Sequence, residues 1–305
     1  MKNYILAIIL TLSLFISSFQ VSADQEPHVS ASSAIVIDAK TNEILYEKNA
    51  HERKNIASIT KIMTAIVALE HRQLKDEVEI SFDASRKIGS SIYTKEGDTY
   101  PLEDLLYGLM LRSGNDAAAA IAEHVAGSEK GFAFLMNEKA SWLGMQNSSF
   151  QNPHGLDEEN HYSTAYDMAI LTAYGINTND EFRKIFGTEK YLSENVGYYW
   201  FNKNKLLMTH DYCIGGKTGY TKSAGRTLVT VGKQDEMEIV VVTLNASDDW
   251  NDHRILYNYA FEQLESKYGH EKDAEKILDF PTFLNHYVDV FQQLNGVRIW
   301  SITSG

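Results

Sequence analysis

Apolar positions along this chain fall into two rhythms, and each predicts a different kind of element. Ile59, Ile62, Met63, Ile66 and Val67 recur at helical spacing, which predicts a buried helix opening at Ser58. Leu102, Leu105, Leu106, Leu109 and Met110 repeat that pattern behind Tyr100-Pro101, where proline suits a first helical position. An alanine-rich helix is predicted over 116–125, ended by Gly127, and another over 129–143, closed by Gly144. Two more are predicted over 164–173, where Thr164 and Asp167 have capping-box spacing, and over 252–267, with Ile255, Leu256, Tyr259 and Leu264 inward. The runs 33–38 with 44–46, and 227–231 with 238–244, read as two hairpins, and 213–220 leads into the second. Strands at both ends with helices between them predict an α/β chain of the α+β kind: one antiparallel sheet flanked by helices.

The first 23 residues follow another logic. One charge, Lys2, precedes an apolar run over 4–16, and the small residues Val21-Ser22-Ala23 follow. This predicts a cleavable secretory signal, and therefore export, with an uncleaved N-terminal anchor as the alternative. The net charge of −13 disfavours nucleic acid and anionic lipid as partners. A single cysteine, Cys213, excludes an intrachain disulfide, and its type favours a small buried residue over a nucleophile.

Ser58 and Lys61 stand three residues apart on a predicted helix, so an amine can reach a hydroxyl and act on it as a base. The first helical turn also offers unpaired N–H groups and the positive dipole end to a developing negative charge. Taken alone, the pair reads first as a serine near a helix start and a solvated lysine. Ser113 and Asn115 lie in a tight turn between two predicted buried helices, a rigid place to hold polar side chains. Lys217 sits between Gly215-Gly216 and Gly219 on a predicted strand whose backbone something approaches closely.

Three motifs therefore stand in order: SITK at 58–61, SGN at 113–115 and KTG at 217–219. Together they resemble the penicillin-recognising serine enzymes. The stretches NIASITKIMTA, LRSGNDAAAAIAEH, NPHGLD followed by AYDMAIL, and GGKTGYTKSAG look like the low-molecular-mass serine D-alanyl-D-alanine carboxypeptidases. The resemblance runs from about residue 30 to 268. It implies a β-lactamase/DD-peptidase-like fold with an all-helical subdomain, a catalytic domain over 24–269 and a short tail over 270–305. It also implies an extracytoplasmic enzyme of the cell wall or the outer face of the cytoplasmic membrane, without a cofactor. Its partners would be the peptidoglycan pentapeptide ending in D-Ala-D-Ala and β-lactam antibiotics.

Residue by residue, the resemblance makes Ser58 the nucleophile, Lys61 its base and Ser113 a proton relay. Asn115 would hold the substrate amide, Lys217 and Thr218 the terminal carboxylate, and the N–H groups of Ser58 and Tyr220 the oxyanion. Gly219 completes the third motif. Some relatives carry His where Tyr220 stands, and some a cysteine near Ala118. An arginine often helps to grip the carboxylate, for which Arg254 is the nearest candidate, with a surface residue as the alternative. In the tail, Leu284, Tyr287, Val288, Phe291 and Leu294 fit one face of a short helix, yet 284–294 has no lysine for anionic lipid. Packing or partial disorder is expected there in preference to peripheral membrane contact.

Three rival functions compete with this reading. A β-lactamase of the same fold needs a deacylating glutamate loop, and NPHGLD occupies that interval instead. A zinc peptidase finds only the short pair Glu158 and His161, without HExxH, and His154 reads as a loop-positioning residue. A non-catalytic binding protein would keep the fold but has no need of all three motifs. A second Ser-x-Asn, Ser193 to Asn195, lacks the helix-turn-helix setting and is set aside.

Overall fold

The structure is a computed structural model and describes residues 26–277. The predicted signal segment 1–23 and the tail positions 284–294 lie outside those residues.

Five antiparallel strands form the central sheet: β1 (Ser33–Asp38), β2 (Ile44–Lys48), β7 (Cys213–Thr221), β8 (Gly225–Gln234) and β9 (Met237–Ala246). Their order is β2-β1-β9-β8-β7, so the two ends of the chain meet where β1 pairs with β9. β1 is buried along its whole length because both faces of the sheet are covered. Ile35, Ile37, Val229, Val231, Val240 and Val242 face the helices that follow β2 in the chain. Ala34, Val36, Leu228, Ile239 and Val241 face the last helix through Leu256, Tyr257, Phe261 and Leu264. Each such fully buried Leu or Ile contributes ~1.5–3 kcal/mol, which is how a chain without a disulfide holds this sheet.

The helices that carry the site are α1 (Lys61–His71), α2 (Leu102–Tyr107), α3 (Asn115–Ala126), α4 (Glu129–Trp142) and α5 (Ala165–Thr178). They are followed by α6 (Asp180–Phe186) and, after β9, by α7 (Asp249–Ile277). α1 is buried from Lys61 to Ala68, so a lysine is carried into the core by an otherwise apolar helix. Gly127 and Gly144 end their helices with φ of 74° and 73°, as the sequence predicts.

Five local expectations change. The helix does not open at Ser58: residues Ala57–Thr60 form a 3-10 turn and α1 starts at Lys61. Pro101 ends a short strand, β4 (Thr99–Pro101), paired with β3 (Glu77–Glu79), and caps α2 instead of opening it. The helix after Pro101 becomes a π-turn over Gly108–Arg112, a wide turn that delivers Ser113 in the left-handed region. Thr164 accepts from the Asp167 N–H, but the Asp167 carboxylate turns to Asn147 and Ser148, so only half of the capping box forms. α7 also starts earlier and ends later than the predicted 252–267. A hairpin of β5 (Lys190–Ser193) and β6 (Tyr198–Phe201) folds over α2 and buries Trp200.

Candidate active site

The 3-10 turn settles how Ser58 meets Lys61. With three residues per turn the two side chains eclipse, and Lys61 Nζ lies 3.2 Å from Ser58 Oγ. The same nitrogen is 2.7 Å from Asn115 Oδ1 and 2.5 Å from the His154 carbonyl. Burial, then the charges of Lys217 and Lys203, hold Lys61 well below the ordinary lysine range, against a smaller opposing pull from Asp116. A neutral amine has two hydrogens and one lone pair. Asn115 Oδ1 and His154 O can only accept, so they take both hydrogens. The lone pair is then left to the Ser58 hydroxyl, which becomes the donor. The Asn115 amide is fixed in this sense because its Nδ2 donates to Ile88 O at 2.7 Å. Gly89, at φ 95°, lets the loop come this close, since a Cβ there would lie 2.8 Å from that Nδ2.

Ser113 reaches the cleft because the π-turn leaves it at φ 65° and ψ 33°. Lys217, on β7, donates to Ser113 Oγ at 3.1 Å and to the Thr218 carbonyl at 2.8 Å. It is buried, and burial with the nearby Lys203 charge brings it down to about 7. Gly219 is where β7 presses on the nucleophile turn: a Cβ there would lie 2.9 Å from the Ser58 N–H nitrogen and 3.1 Å from that of Ile59. Thr227, opposite Gly219, donates to Ile56 O at 3.0 Å and ties the turn to the sheet. Lys61 thus joins Ser58 to Asn115, Lys217 joins Ser113 to β7, and Gly219 touches Ser58. All three motifs meet in one cleft.

Several supporting residues carry no motif. Asp116, buried at the start of α3, accepts from Ser91 Oγ, the Ile92 and Thr94 N–H groups and Thr94 Oγ1, fixing the wall that carries Gly89. An acid directly behind SGN in an apolar helix was the available signal. His154 offers its carbonyl to Lys61 while its ring is held by Glu129 at 3.1 Å and by the Leu156 N–H at 3.3 Å, so it does position a loop. Gly155, at φ 82°, sits so close to Ala57 that a Cβ would fall inside the Ala57 carbonyl.

The remaining candidates separate. Thr218 is half-buried beside Lys217, and Tyr220 stands 67% exposed at the mouth. Arg254 is exposed on α7, where its charge, after burial, helps to hold His210 low. His210 precedes β7, whereas Thr218 lies five strand residues beyond Cys213, about 16 Å on at strand spacing. Arg254 is therefore not brought to the other residues. Ser193 donates to Asp104 at 2.5 Å and Asn195 to Thr99 O, so the second Ser-x-Asn ties the β5–β6 hairpin down. His161 has both ring nitrogens engaged, by Thr60 Oγ1 at 2.9 Å and the Gln151 N–H at 3.1 Å. Cys213 is buried, and burial pushes its thiol up.

The sequence and the fold have counterparts among known proteins. The family model described as D-alanyl-D-alanine carboxypeptidase matches residues 20–248. The D-alanyl-D-alanine carboxypeptidase DacF of Bacillus subtilis is 40% identical over 225 residues, covering 71% of this chain and 58% of its own length. DacD of Escherichia coli is 34% identical over 266 residues, covering 83% and 63%. The chain thus spans roughly three fifths of these curated relatives. Among solved structures, a D-alanyl-D-alanine carboxypeptidase from Mycobacterium tuberculosis superposes with a TM-score of 0.75 at 27% identity, covering 79% of this chain and 95% of that one. A Streptomyces DD-transpeptidase gives 0.73 at 29%, covering 78% and 99%. By the span of the family match and the identity to these relatives, the chain belongs to the D-alanyl-D-alanine carboxypeptidase family.

Proposed function

We propose that this protein is an exported serine carboxypeptidase that removes the terminal D-alanine from peptidoglycan stem peptides and is acylated by penicillin at the same serine. Ser58 Oγ attacks the carbonyl carbon of the penultimate D-alanine while its proton passes to Lys61 Nζ. The C–N bond then breaks, the leaving amine takes a proton through Ser113, and the acyl-serine is hydrolysed by water. The observation that supports this most is the buried Lys61 nitrogen, which lies 2.7 Å from Asn115 Oδ1 and 2.5 Å from the His154 carbonyl, two obligate acceptors, and 3.2 Å from Ser58 Oγ.

The surroundings fit an extended peptide with an anionic end. β7 is an edge strand of the sheet, so one row of its N–H and C=O groups is open to pairing with a substrate backbone. Burial, with the Lys203 charge, brings Lys217 down to about 7, and an arriving carboxylate favours its charged form. Carboxylate binding and the positive charge that holds it thus arise together. Among the described residues no helix is long and apolar enough to cross a membrane. The extracytoplasmic site of action follows from the substrate and the predicted signal segment.

The test is mass analysis of a synthetic pentapeptide ending in two D-alanines, incubated with the protein and with its Ser58→Ala variant. Loss of one alanine with the wild type alone supports the reading. No mass change at any pH, or fluorescent penicillin labelling that survives Ser58→Ala, would sink it. Rapid turnover of a chromogenic cephalosporin without a lasting acyl-enzyme would mark a β-lactamase instead.

A further inference from the structure

One carboxylate outside the cleft grips both walls that orient Lys61. Glu129, in the first turn of α4, takes the Lys87 ammonium on Oε1 and the His154 ring on Oε2, the latter at 3.1 Å. Lys87 and His154 belong to different loops, and each loop supplies one acceptor of the Lys61 nitrogen. The residue after Lys87 is Ile88, whose carbonyl holds the Asn115 amide with its Oδ1 toward Lys61. His154 offers its own carbonyl to the same nitrogen.

The wall that carries Ile88 is fastened at both ends. Beyond Gly89, Asp116 anchors Ser91, Ile92 and Thr94, and Ser90 O accepts the Asn115 N–H at 2.7 Å. Before Gly89, Lys87 is the anchor. The two walls also meet inside the cleft, where a Cβ on Gly89 would lie 4.0 Å from Leu156 Cδ2.

The protonation states fit a carboxylate that serves two donors. The Leu156 N–H points at His154 Nδ1 from 3.3 Å, so Nδ1 accepts and the ring hydrogen sits on Nε2, facing Glu129. Burial, against the raising pull of Glu129, keeps His154 below the usual histidine range, so the neutral ring prevails at pH 7. Burial alone would raise Glu129, but the hydrogen bonds from His154 and Lys87 outweigh it and hold it below the usual carboxylate range. Each oxygen of the ionised group thus serves a different loop. A side chain with a single acceptor oxygen holds only one of them.

Glu129 and Lys87 keep 22% and 26% of their side chains exposed, so their ion pair adds little to stability. Geometry is another matter. A misplacement of about 1 Å at a catalytic constellation costs up to ~10²-fold in rate, and an acceptor of the base hangs from each arm of this carboxylate.

We propose that Glu129 is a positioning residue for the serine–lysine pair: by clasping Lys87 and His154 it holds both acceptors of the Lys61 nitrogen in place and keeps that base aimed at Ser58. Glu129 itself touches neither substrate nor reacting atoms. The proposal rests on the carboxypeptidase reading above.

The variants Glu129→Gln, Glu129→Ala, Lys87→Met and the double Lys87→Met/Glu129→Gln test it, with Glu138→Gln, exposed on the same helix, as the control. D-alanine release from a pentapeptide ending in D-Ala-D-Ala gives kcat and KM, and stopped flow gives the acylation rate at saturating fluorescent penicillin. Both rates are expressed per serine that the penicillin finally labels, so unfolded protein drops out. Each single loss of one arm should lower kcat and acylation ~10-fold, and Glu129→Ala ~10²-fold, with KM within about twofold. The melting temperature should hold within a few degrees, and Glu138→Gln should match wild type. The double variant should fall no further than Lys87→Met, because the amide oxygen still accepts from His154 once Lys87 makes no claim on it. Losses that multiply in the double variant, a change confined to KM, or a lower melting temperature with wild-type rates per labelled serine would each overturn the proposal. If the wild type releases no D-alanine, the carboxypeptidase reading falls and the acylation rates still decide the clasp. If it does and both Glu129 variants match it, only the clasp falls.

Discussion

Lys217 Nζ donates to Ser113 Oγ across 3.1 Å, joining the edge strand to the turn ahead of α3. Because the hydroxyl oxygen receives that bond, the Ser113 hydrogen is left to be donated to another acceptor.

Removing this hydroxyl should therefore cost chemistry and spare the fold. In Ser113→Ala, Lys217 keeps the Thr218 carbonyl, so no buried ammonium is left without an acceptor. D-alanine release should fall by ~10²–10⁴, the range for losing a positioned proton-transfer group. The melting temperature should hold within a few degrees. A large drop in melting temperature, with residual activity in the folded fraction equal to wild type, would show that Ser113 only packs.

The two lysines should give a bell-shaped pH dependence of kcat/KM. Lys61 acts as a base only when neutral, so activity falls on the acid side as it takes up a proton. Lys217 attracts a carboxylate only when charged, so activity falls on the alkaline side as pH rises through about 7 in the free enzyme. Lys217→Arg replaces that group with one that stays charged throughout. The alkaline limb should move upward by at least ~2 pH units relative to wild type. An alkaline limb unmoved in Lys217→Arg assigns it to another group.

Lys217 should also destabilise the fold in a defined pH window. Its folded pKa is about 7 and its unfolded value 10.5, so between them the unfolded chain binds a proton that the folded chain does not. Stability from this group therefore rises with pH from about 7 to 10.5, and its cost is complete below about 7. Lys217→Met should be inactive toward carboxylate substrates yet melt higher at pH 6, by at least the ~2 °C that 1 kcal/mol gives in a domain of this size. Thermal melts of both proteins from pH 6 to 10 measure this, and the gap should close toward the upper end. A variant that melts lower at pH 6 contradicts it.

What could be read from the letters follows the range of the interactions. β1, β8 and β9 are legible because each is a run of β-branched residues, and α3 and α4 because Gly127 and Gly144 end them. The pairing of Ser58 with Lys61 is legible as a three-residue spacing, although the turn that brings the two side chains together is enforced by the packed loop at Gly155. By contrast, the β5–β6 hairpin was missed because Asp104, eighty-odd residues upstream, holds it through Tyr191 and Ser193. The His154 carbonyl on Lys61 is a backbone atom, and no side-chain pattern marks a backbone acceptor.

Gly155 provides the sharpest test that the nucleophile turn is a made conformation and not a default one. Ala57 precedes Ser58 at φ 49°, a region that costs a non-glycine residue ~1–3 kcal/mol and that persists only when its surroundings enforce it. The NPHGLD loop is one of those surroundings: Gly155 packs directly on the Ala57 carbonyl, and Asn152 fixes Gly155 by accepting its N–H at 2.7 Å. The neighbouring His154 carbonyl is the acceptor that orients Lys61. A methyl group in Gly155→Ala has no room against that carbonyl and no comfortable backbone at φ 82°, so the loop and the turn must separate. Both the Ser58 position and the Lys61 acceptor move together. The variant should lose at least ~2 kcal/mol of stability by strain alone, read from chemical denaturation. Its rate of penicillin acylation, measured on folded protein well below the melting temperature, should fall by at least tenfold. Gly144→Ala supplies the comparison, because Gly144 has a similar φ of 73° but nothing within 4 Å of an added Cβ. It should lose stability and leave acylation unchanged. Acylation that stays at wild-type speed in folded Gly155→Ala would show that the turn keeps its shape without the loop.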